Sequence, residues 1–302
     1  MKIKSPITGS YNTKILKYYP KKHFIDLYKV SLNINVSHFF SDINEVLYVI
    51  CLDTGYKFFY PDSIVGNSSF YEELQQFEWY YHKEKWEFTE ALKHINIKDV
   101  ILEIGGGNGY FLDKLNISTE NKHVIEFNQK AIQVLSNKGY SVYNETIIEH
   151  SKKRENYYDV IVLFQLLEHI YDVKSFLDAA ISALKKNGKL IVAVPNCNAK
   201  MIRLDFNLSL NFPPHHIGHW NYKSLKNLEK HFNIKLESVF YEPLDKSYYK
   251  RYYRVWAVDK RMRYSFFGKA IDKFIYPFSE KIVSLLSRHL KGQSMIVIFN
   301  KK

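Results

Sequence analysis

The chain has 302 residues, of which 46% are apolar, and this is enough to bury the core of a large α/β domain with additions. Its two cysteines, Cys51 and Cys197, exclude a disulfide framework and a four-cysteine metal site. The formal net charge of +12 is spread along the chain without a dense basic block. It is compatible with binding to nucleic acid, to an anionic membrane surface or to a phosphate-bearing small molecule, and it does not distinguish among these partners.

The N-terminal region is predicted to contain a hairpin. Residues 46–61 form two apolar runs joined by an Asp-Thr-Gly turn. Cys51 stands at the first position of a C-x-x-C spacing, but Thr54 stands at the second, and residues 37–39 contain no cysteine that could complete a set. A structural zinc site needs four nitrogen or sulfur ligands, so we expect residues 1–70 to hold no metal.

Residues 100–112 contain the most informative pattern. A short apolar run meets an acidic residue and a glycine-rich turn, and apolar residues then restart at helical spacing, which predicts a strand, a tight turn and the start of a helix. Glycine lets the backbone pass close to a ligand, and the N–H groups of a helix start favour an anionic or polar ligand edge. The dinucleotide fingerprint G-x-G-x-x-G fails because Tyr110 occupies its sixth position. The pattern present is E-x-G-x-G-x-G, at Glu103, Gly105, Gly107 and Gly109.

Three further segments follow this loop in order. Residues 122–126 predict a second strand that ends in Glu126, about twenty residues after the loop, where an acidic residue of a doubly wound sheet binds ribose hydroxyls. Residues 158–170 predict a buried strand that continues through Gln165 into a Leu-Glu-His sequence. Residues 184–196 predict a helix end, a turn and another strand.

Residues 85–240 therefore resemble the class I S-adenosylmethionine (SAM) dependent methyltransferases. The resemblance implies an α/β, Rossmann-like fold: a doubly wound, seven-stranded and mostly parallel sheet with helices on both faces. It also implies SAM as cofactor and S-adenosyl-L-homocysteine as product. The chain departs from the family pattern at Lys186 and Asn187, where the family usually has a proline and a glycine, and both are tolerated in a turn. The resemblance assigns cofactor binding to Glu103, Gly105, Gly107, Gly109, Glu126 and Gln165.

The resemblance also extends toward the N-terminus. The predicted hairpin is similar in shape to the zinc-ribbon hairpin that precedes the catalytic domain in some sugar and natural-product methyltransferases, and an ordinary hairpin is the alternative. Residues 71–95 carry aromatic side chains at helical spacing, and helices at this place in the family close over the cofactor. We predict that Tyr80, Tyr81 and Trp86 line the SAM pocket; the alternative is that they are core residues.

Residues 211–220 place three histidines on a proline-stiffened loop beyond the fifth strand of the predicted sheet. Substrates of doubly wound sheets bind beyond the carboxyl ends of the strands. Methyl transfer to a hydroxyl group needs a base, and imidazole is a common one near neutral pH. We predict His215 or His216 as the catalytic base, with His169 as the second choice and without a metal. A capping or structural role is the alternative for any single histidine.

Residues 264–290 form a basic amphipathic pattern that predicts a long helical stretch with a kink or break at Pro277. Residues 292–301 resemble the family's final antiparallel strand, so the helical stretch is an insertion before that strand. Packing on its own domain or on a second copy in a homodimer is favoured over contact with an anionic membrane surface.

The predicted organisation is an N-terminal region at residues 1–70 and a SAM-binding domain at residues 71–302, with a core at 97–200 and a substrate loop at 201–225. The predicted activity is O-methylation of a saccharide, a sugar nucleotide or a related small molecule, with a phosphate group suited to the positive charge and a role in carbohydrate biosynthesis. Methylation of a carbon or nitrogen atom of the same acceptor is the less favoured alternative. The N-terminus shows no apolar signal segment and the chain has no run of eighteen apolar residues, so a cytoplasmic location is expected.

Two other functions are kept as alternatives. The first is a non-catalytic interaction protein with a SAM-binding fold, although the acidic and glycine residues of the loop are in place. The second is a nucleic-acid methyltransferase. Many enzymes that methylate base amino groups carry an (N/D)-P-P-(Y/F/W) motif after the fourth strand, and residues 165–168 read Gln-Leu-Leu-Glu instead, so no nucleic acid partner is expected.

Overall fold

The computed structural model describes residues 2–77, 83–204, 209–260 and 266–302. Tyr80 and Tyr81, predicted to line the cofactor pocket, lie outside the described residues, as does the start of the helical stretch predicted from residue 264.

The described strands and helices follow each other along the whole chain. The strands are β1 Thr13–Pro20, β2 Glu45–Cys51, β3 Lys57–Tyr60, β4 Ile101–Ile104, β5 Lys122–Ile125, β6 Ser141–Tyr143, β7 Tyr158–Phe164, β8 Leu184–Pro195, β9 Gly218–His219, β10 Ile234–Pro243 and β11 Lys291–Lys301. The α-helices are α1 Lys21–Leu32, α2 Ser68–Leu74, α3 Trp86–Leu92, α4 Tyr110–Asp113, α5 Gln129–Asn137, α6 Ile147–Lys153, α7 Val173–Ala183, α8 Lys200–Leu204, α9 Tyr222–Lys226, α10 Tyr249–Asp259, α11 Phe266–Ile275 and α12 Ser279–Leu286.

A seven-stranded sheet has the strand order β10-β11-β8-β7-β4-β5-β6. The pairs β8/β7, β7/β4, β4/β5 and β5/β6 are parallel, whereas β11 is antiparallel to both of its neighbours. Every residue of β4 is buried, because hydrophobic clusters cover both faces of the sheet, and such burial is typical of parallel strands. The fold class predicted from the sequence is confirmed.

The order of the strands places two loops side by side. From β4 the chain moves outward to β5 and β6, and then returns to β7 on the other side of β4. The loops that leave the carboxyl ends of β4 and β7 therefore diverge at a topological switch point, where doubly wound sheets bind their ligands. The glycine loop follows β4, and the Leu-Glu-His sequence follows β7.

A second, four-stranded antiparallel sheet joins the N-terminal hairpin to the histidine loop. Its order is β1-β2-β3-β9, and β9 lies within the loop that carries the three histidines. The Phe59 N–H donates to the Ile217 carbonyl at 2.9 Å, and a β-carbon on Gly218 would lie 1.9 Å from the Tyr56 hydroxyl oxygen. Since Tyr56 also packs on the ring of Trp220, the hairpin forms a support for this loop.

The segment between β10 and β11 contains α10, α11 and α12. A 3-10 turn at Tyr276–Phe278 includes Pro277 and separates α11 from α12, at the place where the sequence predicts an interruption. Val283 is buried against α10, whereas a row of large apolar side chains is exposed: Ile271, Phe274, Phe278, Leu285 and Leu286. Within the described part of the chain, no helix combines the length and hydrophobicity needed to cross a membrane.

Candidate active site

The glycine loop after β4 needs glycine for two separate reasons. Gly105, Gly107 and Gly109 have φ values of 76°, 51° and 76°, in the left-handed region that other residues rarely adopt. Gly106 was not among the predicted site residues, yet a β-carbon there would lie 2.4 Å from the Val124 side chain. Its position inside a run of three glycines was the only signal for it in the sequence. The loop therefore folds tightly against β5.

Glu103 has a buried carboxyl group beside this loop. Its side chain is 3% exposed, and its Oε2 atom has no hydrogen-bond partner among the described residues. Burial raises the pKa of Glu103 well above its usual value. A buried acceptor without a donor is costly, so this carboxyl group suits a ligand that brings a hydrogen-bond donor or a positive charge to the loop.

Glu126 follows β5 directly and closes the other side of the loop. Its Oε2 accepts a hydrogen bond of 2.8 Å from the Gly107 N–H. Its Oε1 accepts bonds of 2.8 and 2.9 Å from the N–H groups of Phe127 and Asn128. Three backbone donors thus hold the carboxylate in one orientation. Each oxygen keeps acceptor capacity, because an ionised carboxylate offers about four lone-pair sites.

Substitution of Gly109 by alanine should both strain the backbone and displace α5. An alanine here would have to adopt φ of +76°, which is strained for a residue with a side chain. Its β-carbon would also lie 2.6 Å from the Leu135 side chain. We expect a loss of about 1–3 kcal/mol in the free energy of unfolding, measured in urea, together with weaker SAM binding in calorimetry. Gly139→Ala is a matched control, because Gly139 has φ of +77° but only an ordinary 3.5 Å contact. Equal SAM binding by wild type and Gly109→Ala would contradict the role of the loop.

Gln165 stands where β7 ends, with φ of +51°. Its side-chain amide donates to Glu87 Oε1 and to Ser294 Oγ, both at 2.8 Å. The side chain is thus held by α3 and β11, and its predicted contact with the cofactor stays a prediction. Glu87 and Ser294 were not predicted, and the local sequence gave no signal for Glu87, because it shares its helix face with a second acidic residue, Glu90. Trp86, beside it, packs against the hydrophobic cluster under the glycine loop.

Three histidines meet beyond the carboxyl end of β7: His169, His215 and His216, which we call the histidine cluster. Their ring centroids lie 4.5 to 4.9 Å apart. His215 and His216 are 6% and 7% exposed, and all three were predicted as candidates for the catalytic base. His219, the third histidine of the loop, lies elsewhere: Tyr48 and the Asn211 carbonyl engage its two ring nitrogens, both at 2.7 Å. The structure thus separates two histidine environments that sequence spacing left together.

Backbone carbonyls orient two rings of the cluster. His169 Nδ1 lies 2.7 Å from the His215 carbonyl, and His215 Nδ1 lies 3.0 Å from the Leu210 carbonyl. The hydroxyl of Tyr71 is also 3.2 Å from His169 Nδ1. Burial lowers the pKa of His169 to about 4, and burial with neighbouring imidazoles lowers the pKa values of His215 and His216 well below 6.5. The rings are therefore neutral at neutral pH and carry nitrogen lone pairs.

Glu168 borders the histidine cluster. It is the glutamate of the Leu-Glu-His sequence, for which no role was predicted. Its side chain is 1% exposed, and neither carboxyl oxygen has a hydrogen-bond partner among the described residues. Its Oε1 lies 3.9 Å from His216 Nε2. Burial raises the pKa of Glu168 to about 8. Sequence alone offered no sign of this burial, because acidic residues at strand ends are usually exposed.

Comparison with known proteins gives one matching family. The model of a family described as a methyltransferase domain matches residues 80–239, more than half of the chain. A search of curated protein sequences returns no match. The matched segment contains the glycine loop, Glu126 and the histidine cluster.

Solved structures resemble the chain at low sequence identity. A SAM-dependent methyltransferase from Archaeoglobus fulgidus shares 17% identity, with a TM-score of 0.51 over 76% of this chain and 100% of that one. A SAM-dependent methyltransferase from Mesorhizobium loti shares 11%, with a TM-score of 0.47 over 72% and 100%. A coclaurine N-methyltransferase shares 14%, with a TM-score of 0.44 over 70% and 69%. The first of these similarities supports the fold.

Proposed function

Since the chain belongs to the class I SAM-dependent methyltransferases and uses SAM as its cofactor, we propose that it methylates a hydroxyl group of a saccharide, a sugar nucleotide or a related small molecule. The observation that carries this proposal is the histidine cluster beside Glu168, beyond the carboxyl end of β7. An amine acceptor reacts through its free electron pair, whereas a hydroxyl must lose a proton, so a group of neutral imidazoles at the acceptor site favours an oxygen nucleophile.

The residues around the glycine loop fit the cofactor. The buried and unpartnered Oε2 of Glu103 suits the positively charged amino end of SAM. Glu126 has both oxygens at the mouth of the loop, where two ribose hydroxyls would each find an acceptor. The left-handed glycines between these carboxylates leave room for the backbone to approach the ligand.

The chemistry follows from this arrangement. When bound, SAM supplies an electrophilic methyl group on a sulfonium sulfur. The histidine cluster would take the proton of the acceptor hydroxyl, while the methyl group would move to the acceptor oxygen and the electron pair of the broken carbon–sulfur bond would stay on sulfur. Most of the rate comes from alignment, because in-line displacement requires the oxygen and the methyl carbon to be close and collinear with sulfur. The two loops at the switch point provide that alignment from two adjacent strands.

The proposal is tested by incubation of the protein with methyl-labelled SAM and a panel of saccharides and sugar nucleotides. We expect label in at least one sugar, and an O-methyl group in the product by mass spectrometry and NMR. A panel of amines, DNA and RNA at low salt serves as the comparison, because electrostatic binding of a polynucleotide is strongest there. Label only in amines or nucleic acid would contradict the acceptor class. SAM binding without transfer to any acceptor would favour the non-catalytic alternative.

A further inference from the structure

The histidine cluster has the composition and spacing of a metal-binding site. One ring nitrogen from each of His169, His215 and His216 lies within 4.8 Å of the ring nitrogens offered by the other two. In a tetrahedral zinc site with Zn–N bonds of about 2.0–2.1 Å, the ligand nitrogens lie about 3.3 Å apart. The rings therefore need only small rotations inward to share one ion.

The hydrogen bonds of the cluster are those expected of metal ligands. Histidines that bind a metal usually donate from the other ring nitrogen to a carbonyl or carboxylate, which fixes the tautomer and the ring orientation. Nδ1 of His169 and Nδ1 of His215 both face backbone carbonyls, at 2.7 and 3.0 Å. An imidazole that donates from Nδ1 has its lone pair at Nε2. Two of the three rings are thus oriented before any ligand arrives.

Glu168 provides a second and independent observation. It is buried at the edge of the cluster, with 1% of its surface exposed and both oxygens without a hydrogen-bond partner among the described residues. A buried carboxylate is stable when a cation or hydrogen-bond donors compensate it. Its Oε1 lies 3.9 Å from the nearest His216 nitrogen, too far for a hydrogen bond but close enough to share an ion.

We propose that His169, His215 and His216 bind one divalent transition-metal ion of the zinc type, with the Glu168 carboxylate beside it to balance the charge. Three imidazoles select such an ion, because Mg²⁺ and Ca²⁺ prefer oxygen ligands. This differs from the sequence prediction of a catalytic site without metal. The predicted absence rested on missing cysteines, whereas the three histidines become neighbours only in the folded chain.

The inference deepens the proposed function and rests on it for the role of the ion. A metal held by three protein ligands keeps a position for an exogenous oxygen, and the carboxyl end of β7 is where the acceptor would bind. The ion would position the acceptor hydroxyl and polarise it as a Lewis acid. With the imidazoles engaged as ligands, the hydroxyl proton would pass to the Glu168 carboxylate, whose oxygens have no other hydrogen-bond partner among the described residues, rather than to a buried imidazole.

The test is metal binding by the full chain after treatment with a chelator. We expect calorimetric titration with Zn²⁺ to show one site, and titration with Co²⁺ to give the visible absorption of a site with nitrogen and oxygen ligands. His215→Ala and His216→Ala should each weaken Zn²⁺ binding by more than about 100-fold, beyond the range for the loss of an outer partner. Glu168→Gln should weaken it by about 10–100-fold. His231→Ala, at an exposed histidine, should bind like wild type.

SAM binding by each variant verifies that it is folded. Absence of Zn²⁺ binding by folded wild type, or binding that is unchanged in folded His215→Ala and His216→Ala, would overturn the metal site. A Co²⁺ spectrum dominated by sulfur ligation would also overturn it, because it would point to cysteine.

The activity assay separates this inference from the proposed function. Sugar methylation at full rate in metal-free protein would remove the ion from the reaction and leave the acceptor class standing. If the protein binds Zn²⁺ but methylates no sugar, the metal site is supported and the proposed acceptor class is overturned.

Discussion

Replacement of Glu126 by alanine is expected to weaken SAM binding by about 10²–10⁴-fold. Two ribose hydroxyls that donate to one carboxylate represent two hydrogen bonds to a charged group, each of about 1.5–3 kcal/mol. Their loss corresponds to about 3–6 kcal/mol, and each 1.4 kcal/mol is a factor of ten in affinity. The substitution also removes the acceptor for the Gly107 N–H, so the glycine loop loses one of its supports. Calorimetric titration of both proteins with SAM measures the difference.

Two controls make this result specific. Glu120→Ala removes an exposed carboxylate that precedes β5, at the opposite end of the strand from Glu126, and should leave SAM affinity unchanged. Glu126→Gln keeps an acceptor oxygen of similar size without the charge, so its affinity should lie between those of wild type and Glu126→Ala. Wild-type affinity in Glu126→Ala would show that the ribose is bound elsewhere, and the assignment of the loop would then fail.

The double substitution His215→Ala/His216→Ala is expected to lower kcat for methyl transfer by about 10²–10⁴-fold, the usual contribution of a group that assists proton removal. SAM affinity should stay within a few-fold of wild type, because the glycine loop and Glu126 lie on the other side of the switch point, after β4 and β5. Initial rates at saturating SAM, with the sugar acceptor identified in the labelling assay, provide the measurement. The split between kcat and SAM affinity distinguishes loss of chemistry from general damage.

Controls for this experiment come from the other histidines. His231→Ala changes an exposed ring and should keep the wild-type rate. His219→Ala removes a ring whose two nitrogens hold Tyr48 and the Asn211 carbonyl, so it should lower stability without a specific effect on kcat of the folded fraction. A double variant that retains the wild-type rate would exclude the cluster from proton removal.

The N-terminal hairpin is connected to the chemistry through β9. Tyr28 from α1 donates to the Phe212 carbonyl at 2.8 Å, and β3 pairs with Gly218 and His219. The loop that carries His215 and His216 is therefore held from outside by elements that precede the sheet in sequence. A hairpin without zinc ligands can keep this supporting position, because its contacts with the loop are aromatic packing and backbone hydrogen bonds.

The sequence by itself determined the sheet class, the glycine loop and the cofactor, because these depend on local signals. A left-handed turn favours glycine at fixed positions, a buried parallel strand requires an apolar run, and a proline inside a long helical pattern, such as Pro277, interrupts it. Glu103 could be identified because it interrupts such a run two residues before the first glycine, and Glu126 because it directly follows one. These features need no knowledge of distant contacts.

Only the tertiary structure decided which histidines act together. His169 and His215 are 46 positions apart in the sequence. They meet because the loop that contains β9 is bonded to the segment after β7, where the Ile217 N–H donates to the Glu168 carbonyl at 2.9 Å. His219 follows His216 by three residues yet faces Tyr48, since the strand pairing turns its side chain toward the hairpin. The burial of Glu168, the polar contacts of Gln165 and the exposed apolar row on α11 and α12 have the same origin. These particular contacts are made by residues that are far apart in sequence, so no local pattern encodes them.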